Sequence, residues 1–241
     1  AAPRRVASLM RGAVPFCGIA ALGGGAVLLQ PDTDTFVIMM LASGALFLAA
    51  GGRWRHALAL GIIGALIVAA LALSRPYIMN RIAAFLDPSA DPQGASYQVN
   101  QSLIALGSGG LFGRGFGQSI QKFEHLPEPI SDSIFAVYGE EFGFLGSAFL
   151  VLLFSAFALR GYKIATDAPD RFGMLLVVGL VTLIIAQTFL NIASMLALVP
   201  LSGLPLPFIS QGGTALLAAL ASVGIILNVS KYRTRERTVL Q

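Results

Sequence analysis

Apolar runs recur along the chain at 12–30, 36–52, 57–74, 133–159, 172–199 and 211–229. At 1.5 Å per residue, each reads as a helix long enough for the roughly 30 Å hydrocarbon layer of a membrane. Only the fourth run carries charges, Glu140 and Glu141, and after them 142–159 is free of charge. Short connections join most of the runs, but 75–132 is a long insertion. Loops of that length are functional or disordered, and the apolar residues Phe85, Leu86, Tyr97, Leu103, Ile104, Leu111, Phe112, Phe116 and Phe123 within it predict a packed one. Inside it, 97–106 reads as a short helix with Gln98, Gln101 and Ser102 on one face and Val99, Leu103 and Leu106 on another. That helix is either interfacial or a re-entrant half-helix lining a polar cavity.

Composition excludes the alternatives to a membrane protein. The 241 residues are 56% hydrophobic and 12% charged, where a globular chain carries about 25% charged residues. Cys17 is the single cysteine, so it builds no intrachain disulfide, and its apolar setting suits packing. The expected fold is an all-α polytopic membrane protein of about six transmembrane helices, read as one domain over 1–241 with the outer loop 75–132.

Charge adds orientation. Alternating topology puts Arg4, Arg5, Arg11, Arg53, Arg55, Arg160, Lys163, Arg171, Lys231, Arg233, Arg235 and Arg237 on one side, which makes that side and both termini cytoplasmic. The basic balance therefore reflects membrane orientation, and nucleic acid is not an expected partner. Acidic residues concentrate outside.

Several outer features carry candidate chemistry. Residues 87–94 are dense in turn formers. The glycines of 107–117 would let backbone N–H groups approach an anion, with Arg114 and Lys122 adding positive charge. Asp132 precedes the fourth span, either as a helix N-cap or as a general base at the outer face. Glu140 and Glu141 lie roughly 12 Å further along that helix, where ionisable groups are costly and by default functional. Their neighbours Gly139 and Gly143 have the spacing of close helix packing. Gln187, Asn191 and Ser194 form one polar stripe, for interhelical hydrogen bonds or for a substrate groove. Ser210 to Gly213 open the last helix with N–H groups that an anion could meet. His56 and His125 fall on opposite sides, and no Ser-His-Asp set, Walker loop or Cys-His cluster occurs.

At these residues the chain resembles the SEDS membrane proteins of cell-wall synthesis, the FtsW, RodA and SpoVE family. Gln30-Pro31-Asp32, Pro76-Tyr77, Arg81, Phe85-Leu86-Asp87-Pro88, Asp91-Pro92, Tyr97-Gln98 and Gln101-Ser102 are similar to its motifs. So are 107–113, Gly117-Gln118-Ser119, Gln121-Lys122, Leu126-Pro127-Glu128, Asp132, Ile134-Phe135-Ala136, Glu140-Glu141 with Gly143, Gln187, Asn191, Pro200, Gly203-Leu204, 206–210 and Gly212-Gly213. The wording of 117–122 looks more like the division branch than the elongation branch. Ile130-Ser131 departs from the family's usual His-Thr.

The resemblance implies a peptidoglycan glycosyltransferase that polymerises lipid II during cell division, at the outer face of the bacterial cytoplasmic membrane. It implies Asp132 as the catalytic aspartate. Arg114 and Lys122, or Arg75 and Arg81, would steady the departing pyrophosphate, with a divalent cation (magnesium or manganese) as an optional cofactor. Gln101, Ser102, Glu140, Glu141, Gln187, Asn191 and Ser210 would bind substrate. Implied partners are lipid II, undecaprenyl-pyrophosphate-linked glycan, a class B penicillin-binding protein acting as transpeptidase, and other divisome proteins. A lipid II flippase and a non-catalytic scaffold for the transpeptidase are the alternatives. Family members have about ten spans, so the resemblance implies that the first ones are missing here.

Overall fold

The structure, a computed structural model, describes residues 9–30, 32–87, 95–124 and 126–232, without the side chains of Leu9, Arg11, Ala95 and Glu124. Arg4, Arg5, the Arg11 side chain, Pro31, the turn residues 88–94, His125, Arg233, Arg235 and Arg237 lie outside the described residues.

Helices account for all the regular structure described. A π-helical turn, Leu9–Ala13, leads into α1, Val14–Leu29, followed by α2, Thr33–Ala49, and α3, Trp54–Ser74. The outer insertion holds α4, Pro76–Leu86, α5, Ala95–Ser108, and α6, Gln121–Glu124. Then come α7, Ile134–Thr166, α8, Arg171–Met195, and α9, Gly213–Lys231. Among the described residues α3, α7, α8 and α9 are long and apolar enough to cross a membrane.

All six apolar runs are helical, but α1 is shorter than its run and α2, as long as the run 36–52, starts three residues earlier. The 16 residues of α1 and 17 of α2 span about 24–26 Å. The cap of α2 explains its early start: Asp32 accepts a hydrogen bond from Thr35 N at 2.9 Å, satisfying an orphan donor of the first turn. The insertion contains three helical segments where sequence predicts one. The 11-residue α4 falls where the pattern reads as loop; Pro76 in its first turn, pre-set for helical φ, starts it.

The fifth run also stops short, at Met195 rather than 199. Leu198 N bonds to Ala193 O and Ala197 N to Ser194 O, with Ala197 left-handed at φ 53. This is the paired-bond termination that satisfies the last helical carbonyls, and Pro200 follows it closely, as is common after such an end.

The chain gathers into two compact units. The first comprises 1–68, 157–186 and 220–241. Within it Phe47 is fully buried, its ring 5.4 Å from that of Phe16 and 6.5 Å from His56. Arg171 donates to Ala50 O at 2.9 Å, and Ala165, Val177, Val181 and Ile226 form an apolar cluster. Cys17 is half-buried.

The second unit, 69–156 with 187–219, holds the outer insertion, the outer part of α7 and the segment before α9. Its core joins Ala105 of α5, Leu126, Ala136 and Val137. On α5 the buried face is Ser96, Val99, Ser102 and Ala105, while Leu103 and Ile104 are exposed. The expected division into polar and apolar faces is therefore crossed: small side chains, polar or not, turn inward where backbones approach closely.

Candidate functional site

The glycine-rich segment meets backbone, not an anion. Helix α7 is broken at Gly143, whose φ is 66 and ψ −166. In an uninterrupted helix the amides of 144 and 145 would bond to the carbonyls of 140 and 141. Here Phe144 N donates to Gly110 O at 2.8 Å and Leu145 N to Leu111 O at 3.1 Å. The released carbonyls of Glu140 and Glu141 accept from Arg114 N and Gly115 N, both at 3.0 Å. The outer loop is thus wedged into the helix, and these four opened groups are re-paired. Glycine is needed because a Cβ on Gly113 would fall on the Glu141 carbonyl, and one on Gly143 on the Gly113 amide.

Glu140 closes this wedge. Its carboxylate is fully buried and accepts from Ser119 Oγ at 2.6 Å, Ile120 N at 3.2 Å and Gln121 N at 3.3 Å. Arg114 Nε lies 3.3 Å away. One site expectation is corrected: Glu140 is enclosed by protein and held by these donors, so it does not line a substrate surface, while Arg114, its ion partner, remains 38% exposed. Glu141 is also buried, with Oε1 unpartnered. Lys122 sits in α6 with Nζ 5.6 Å over the Phe123 ring.

Asp132 stands at the end of a tight turn built on Pro127-Glu128-Pro129. A residue before proline is kept out of the α region, and Glu128 takes the left-handed conformation with φ 47. Its carbonyl accepts from Ser131 N and Ser133 N, each at 3.2 Å. Three successive carbonyls after the prolines are then claimed by donors from elsewhere. Gln211 N donates to Ile130 O at 2.8 Å, Ser210 Oγ donates to Ser131 O, and Asn191 Nδ2 donates to Asp132 O at 2.7 Å.

These bonds correct the roles expected of α8 and the last outer segment. Asn191 is fully buried and also donates to Leu204 O at 2.7 Å. Gln187 donates to Pro205 O at 2.7 Å, and Ser210 Oγ accepts from Leu206 N at 2.7 Å. Gln187, Asn191 and Ser210 therefore fix main chain around Asp132, which for the α8 stripe is the hydrogen-bonding alternative and not the groove. Ser102 is fully buried too, donating to Gln98 O at 2.8 Å. Gln101 is half-buried on α5, one turn beyond Gln98.

The Asp132 carboxylate does not cap α7. Its Oδ1 is buried with no hydrogen-bond partner, and its Oδ2 faces Gln98 Nε2 at 3.5 Å. Burial pushes the carboxyl above its ordinary range and Glu128 adds to this, against the Gln98 hydrogen bond and the backbone amides of Asp132 and Ser133. Arg81 stacks over Tyr77 at 4.4 Å. A Cβ on Gly203 would lie 3.5 Å from Arg81 Nη2 and 4.0 Å from Asp132 Oδ2, so both side chains border that glycine. Arg75 lies at the start of α4. Gln98 and Ser133 are not among the expected site residues. Their signal is weak: Gln98 is one of several polar positions on α5, and Ser133 merely adjoins Asp132.

Among the described residues no three His, Cys, Asp or Glu side chains gather into a metal cage.

The family described as cell cycle protein, FtsW/RodA/SpoVE, matches residues 1–235. Stage V sporulation protein E of Bacillus subtilis (strain 168) is 43% identical over 229 residues, covering 95% of this chain and 63% of that protein. The probable peptidoglycan glycosyltransferase FtsW of Geobacter sp. (strain M18) is 37% identical over 226 residues, covering 94% and 62%. A chain of a solved peptidoglycan synthase complex, described as coordinating polymerization and crosslinking, superposes with a TM-score of 0.75 at 26% identity over 96% of this chain and 65% of that one. A mutant of the Thermus thermophilus rod shape determining protein RodA shares the fold, with a TM-score of 0.60 at 24% identity over 97% and 62%. The chain spans a little under two thirds of the length of these proteins. Apolar spans, the wedged outer loop and the pinned aspartate thus sit in a chain that belongs to the FtsW/RodA/SpoVE family of cell cycle proteins.

Proposed function

We propose that the whole protein is a peptidoglycan glycosyltransferase of cell division, polymerising lipid II at the outer face of the bacterial cytoplasmic membrane with Asp132 as general base. One observation carries this reading: a buried carboxylate oxygen, Asp132 Oδ1, has no hydrogen-bond partner although its main chain is held by donors from two other segments. A fixed acceptor with a raised proton affinity suits proton removal. The acceptor sugar hydroxyl gives its proton to Asp132 as its oxygen bonds to the anomeric carbon. The bond from that carbon to the polyprenyl pyrophosphate breaks, and the electron pair leaves on the pyrophosphate. Arg81, which borders Gly203 as Asp132 Oδ2 does, would offset that negative charge.

Relatives named as peptidoglycan glycosyltransferases support the activity, and the synthase complex among the solved structures supports a partner. That partner would be a class B penicillin-binding protein. Flipping of lipid II gains no support from Glu140, an ionisable group within α7, because it is enclosed and paired. The test is polymerisation of lipid II by the full-length protein with its transpeptidase partner, wild type against Asp132→Asn. Loss of polymer with folding and partner binding intact is the expected result. Full activity in the variant overturns the assignment of Asp132.

A further inference from the structure

Helix α5 points one polar side chain at the aspartate. Gln98 Nε2 lies 2.9 Å from Ser133 Oγ and 3.5 Å from Asp132 Oδ2. The chemistry of Ser133 decides which end of the amide faces these atoms. Ser133 is fully buried, and its single hydroxyl proton goes to Pro127 O at 2.8 Å. Its oxygen can then only accept, so the Gln98 NH2, and not its carbonyl, must face it. The second N–H of that NH2 is left for Asp132. The helix carrying Gln98 is itself held, through the buried Ser96, Val99 and Ser102.

We propose that Gln98 is the positioning residue of Asp132: its amide holds Oδ2 and so leaves Oδ1, the unpartnered oxygen, to take the proton of the attacking hydroxyl. This rests on the reading of Asp132 as general base. The proton of the sugar hydroxyl passes to Oδ1 while the sugar oxygen bonds to the anomeric carbon and the pyrophosphate departs with its electron pair. The Oδ2 bond to Gln98 strengthens with the charge on the carboxylate, keeping Asp132 ionised against its burial.

Few other charges bear on this balance. Glu128 lies on the same turn and opposes ionisation of Asp132, and Arg81 of α4 borders the same Gly203 as Asp132 Oδ2. Helix α5, the 187–195 part of α8 and the 200–212 segment contain no charged residue. Loss of the Gln98 amide therefore has a readable direction: the carboxyl holds its proton to higher pH.

The test is the pH dependence of lipid II polymerisation by the full-length protein with its transpeptidase partner. Wild type is compared with Gln98→Leu, Gln98→Met and Asp132→Asn. In both Gln98 variants the acid limb of kcat is expected to move up by about 1 pH unit, a roughly tenfold lower rate on the acid side, with KM unchanged. The length-matched Gln98→Met keeps the comparison open where Gln98→Leu folds poorly. Gln98 variants that keep the wild-type limb, or lose rate equally at every pH, overturn the proposal while an inactive Asp132→Asn leaves the general base standing. An active Asp132→Asn overturns both.

Discussion

Asn191 donates one amide hydrogen to the main-chain carbonyl of Asp132 and the other to that of Leu204, each at 2.7 Å. One side chain on α8 thereby ties the turn before α7 to the segment before α9. Asn191→Ala leaves two carbonyls without their donor, at a cost of about 1–3 kcal/mol each where burial keeps water out. Because Asn191 is fully buried, the variant should lose kcat with little change in KM. Thermal melting in detergent and steady-state polymerisation check the two effects. An unaltered melting temperature would count against the tie.

Glu140 and Arg114 should respond unequally to truncation. Arg114 is 38% exposed and Glu140 fully buried, so Arg114→Ala leaves a carboxylate that still has three protein donors. Glu140→Ala strips Ser119, Ile120 and Gln121 of their acceptor, and unsatisfied buried groups cost about 1–3 kcal/mol each. The melting temperature should fall further for Glu140→Ala than for Arg114→Ala. The opposite order would mean that the ion pair, and not the neutral donors, holds the loop.

Glycines of the outer loop divide by what faces them. Gly143→Ala and Gly113→Ala each add a methyl group onto backbone atoms at positive φ and should prevent stable folding of the loop. Gly107→Ala, in helical conformation with nothing within 4 Å, should be neutral or stabilising by up to about 1 kcal/mol. Limited proteolysis between α5 and α7 distinguishes them: rapid cleavage is expected for the first two and wild-type resistance for the third.

Burial of Asp132 has a sign in stability as well as in catalysis. Its carboxyl is held above the ordinary value of 3.8, so the folded protein keeps this proton to higher pH than the unfolded chain does. That contribution is fully present below 3.8 and is lost as pH rises through the folded value. Asp132→Asn cannot lose it. Melting temperature measured against pH should show the variant gaining on wild type as pH rises, with a constant advantage above the folded value; a gap that narrows with rising pH would contradict the raised affinity.

The spans were legible because apolar runs declare themselves without reference to any partner. Asp132 was legible through its motif. What surrounds it was not, for a physical reason: Asn191, Gln187 and Ser210 all donate to carbonyls, and a main-chain carbonyl has no residue identity for a sequence pattern to display. The polar stripe on α8 announced hydrogen bonds without saying to what. Glycine density in 107–117 likewise announced close approach, and an anion was as good a guess as a helix backbone. Ala197 and Glu128, left-handed without being glycine, carry no compositional mark at all.

The break in α7 also bears on how the protein is made. Residues 110–115 are synthesised before 140–145, so the loop is complete while its partners are still to come. When α7 emerges it has two ways to satisfy the amides of 144 and 145, its own carbonyls or those of 110 and 111. Closing on itself makes two bonds, whereas taking the loop makes four. These four bonds, and with them this part of the outer face, can therefore form only once α7 has been made.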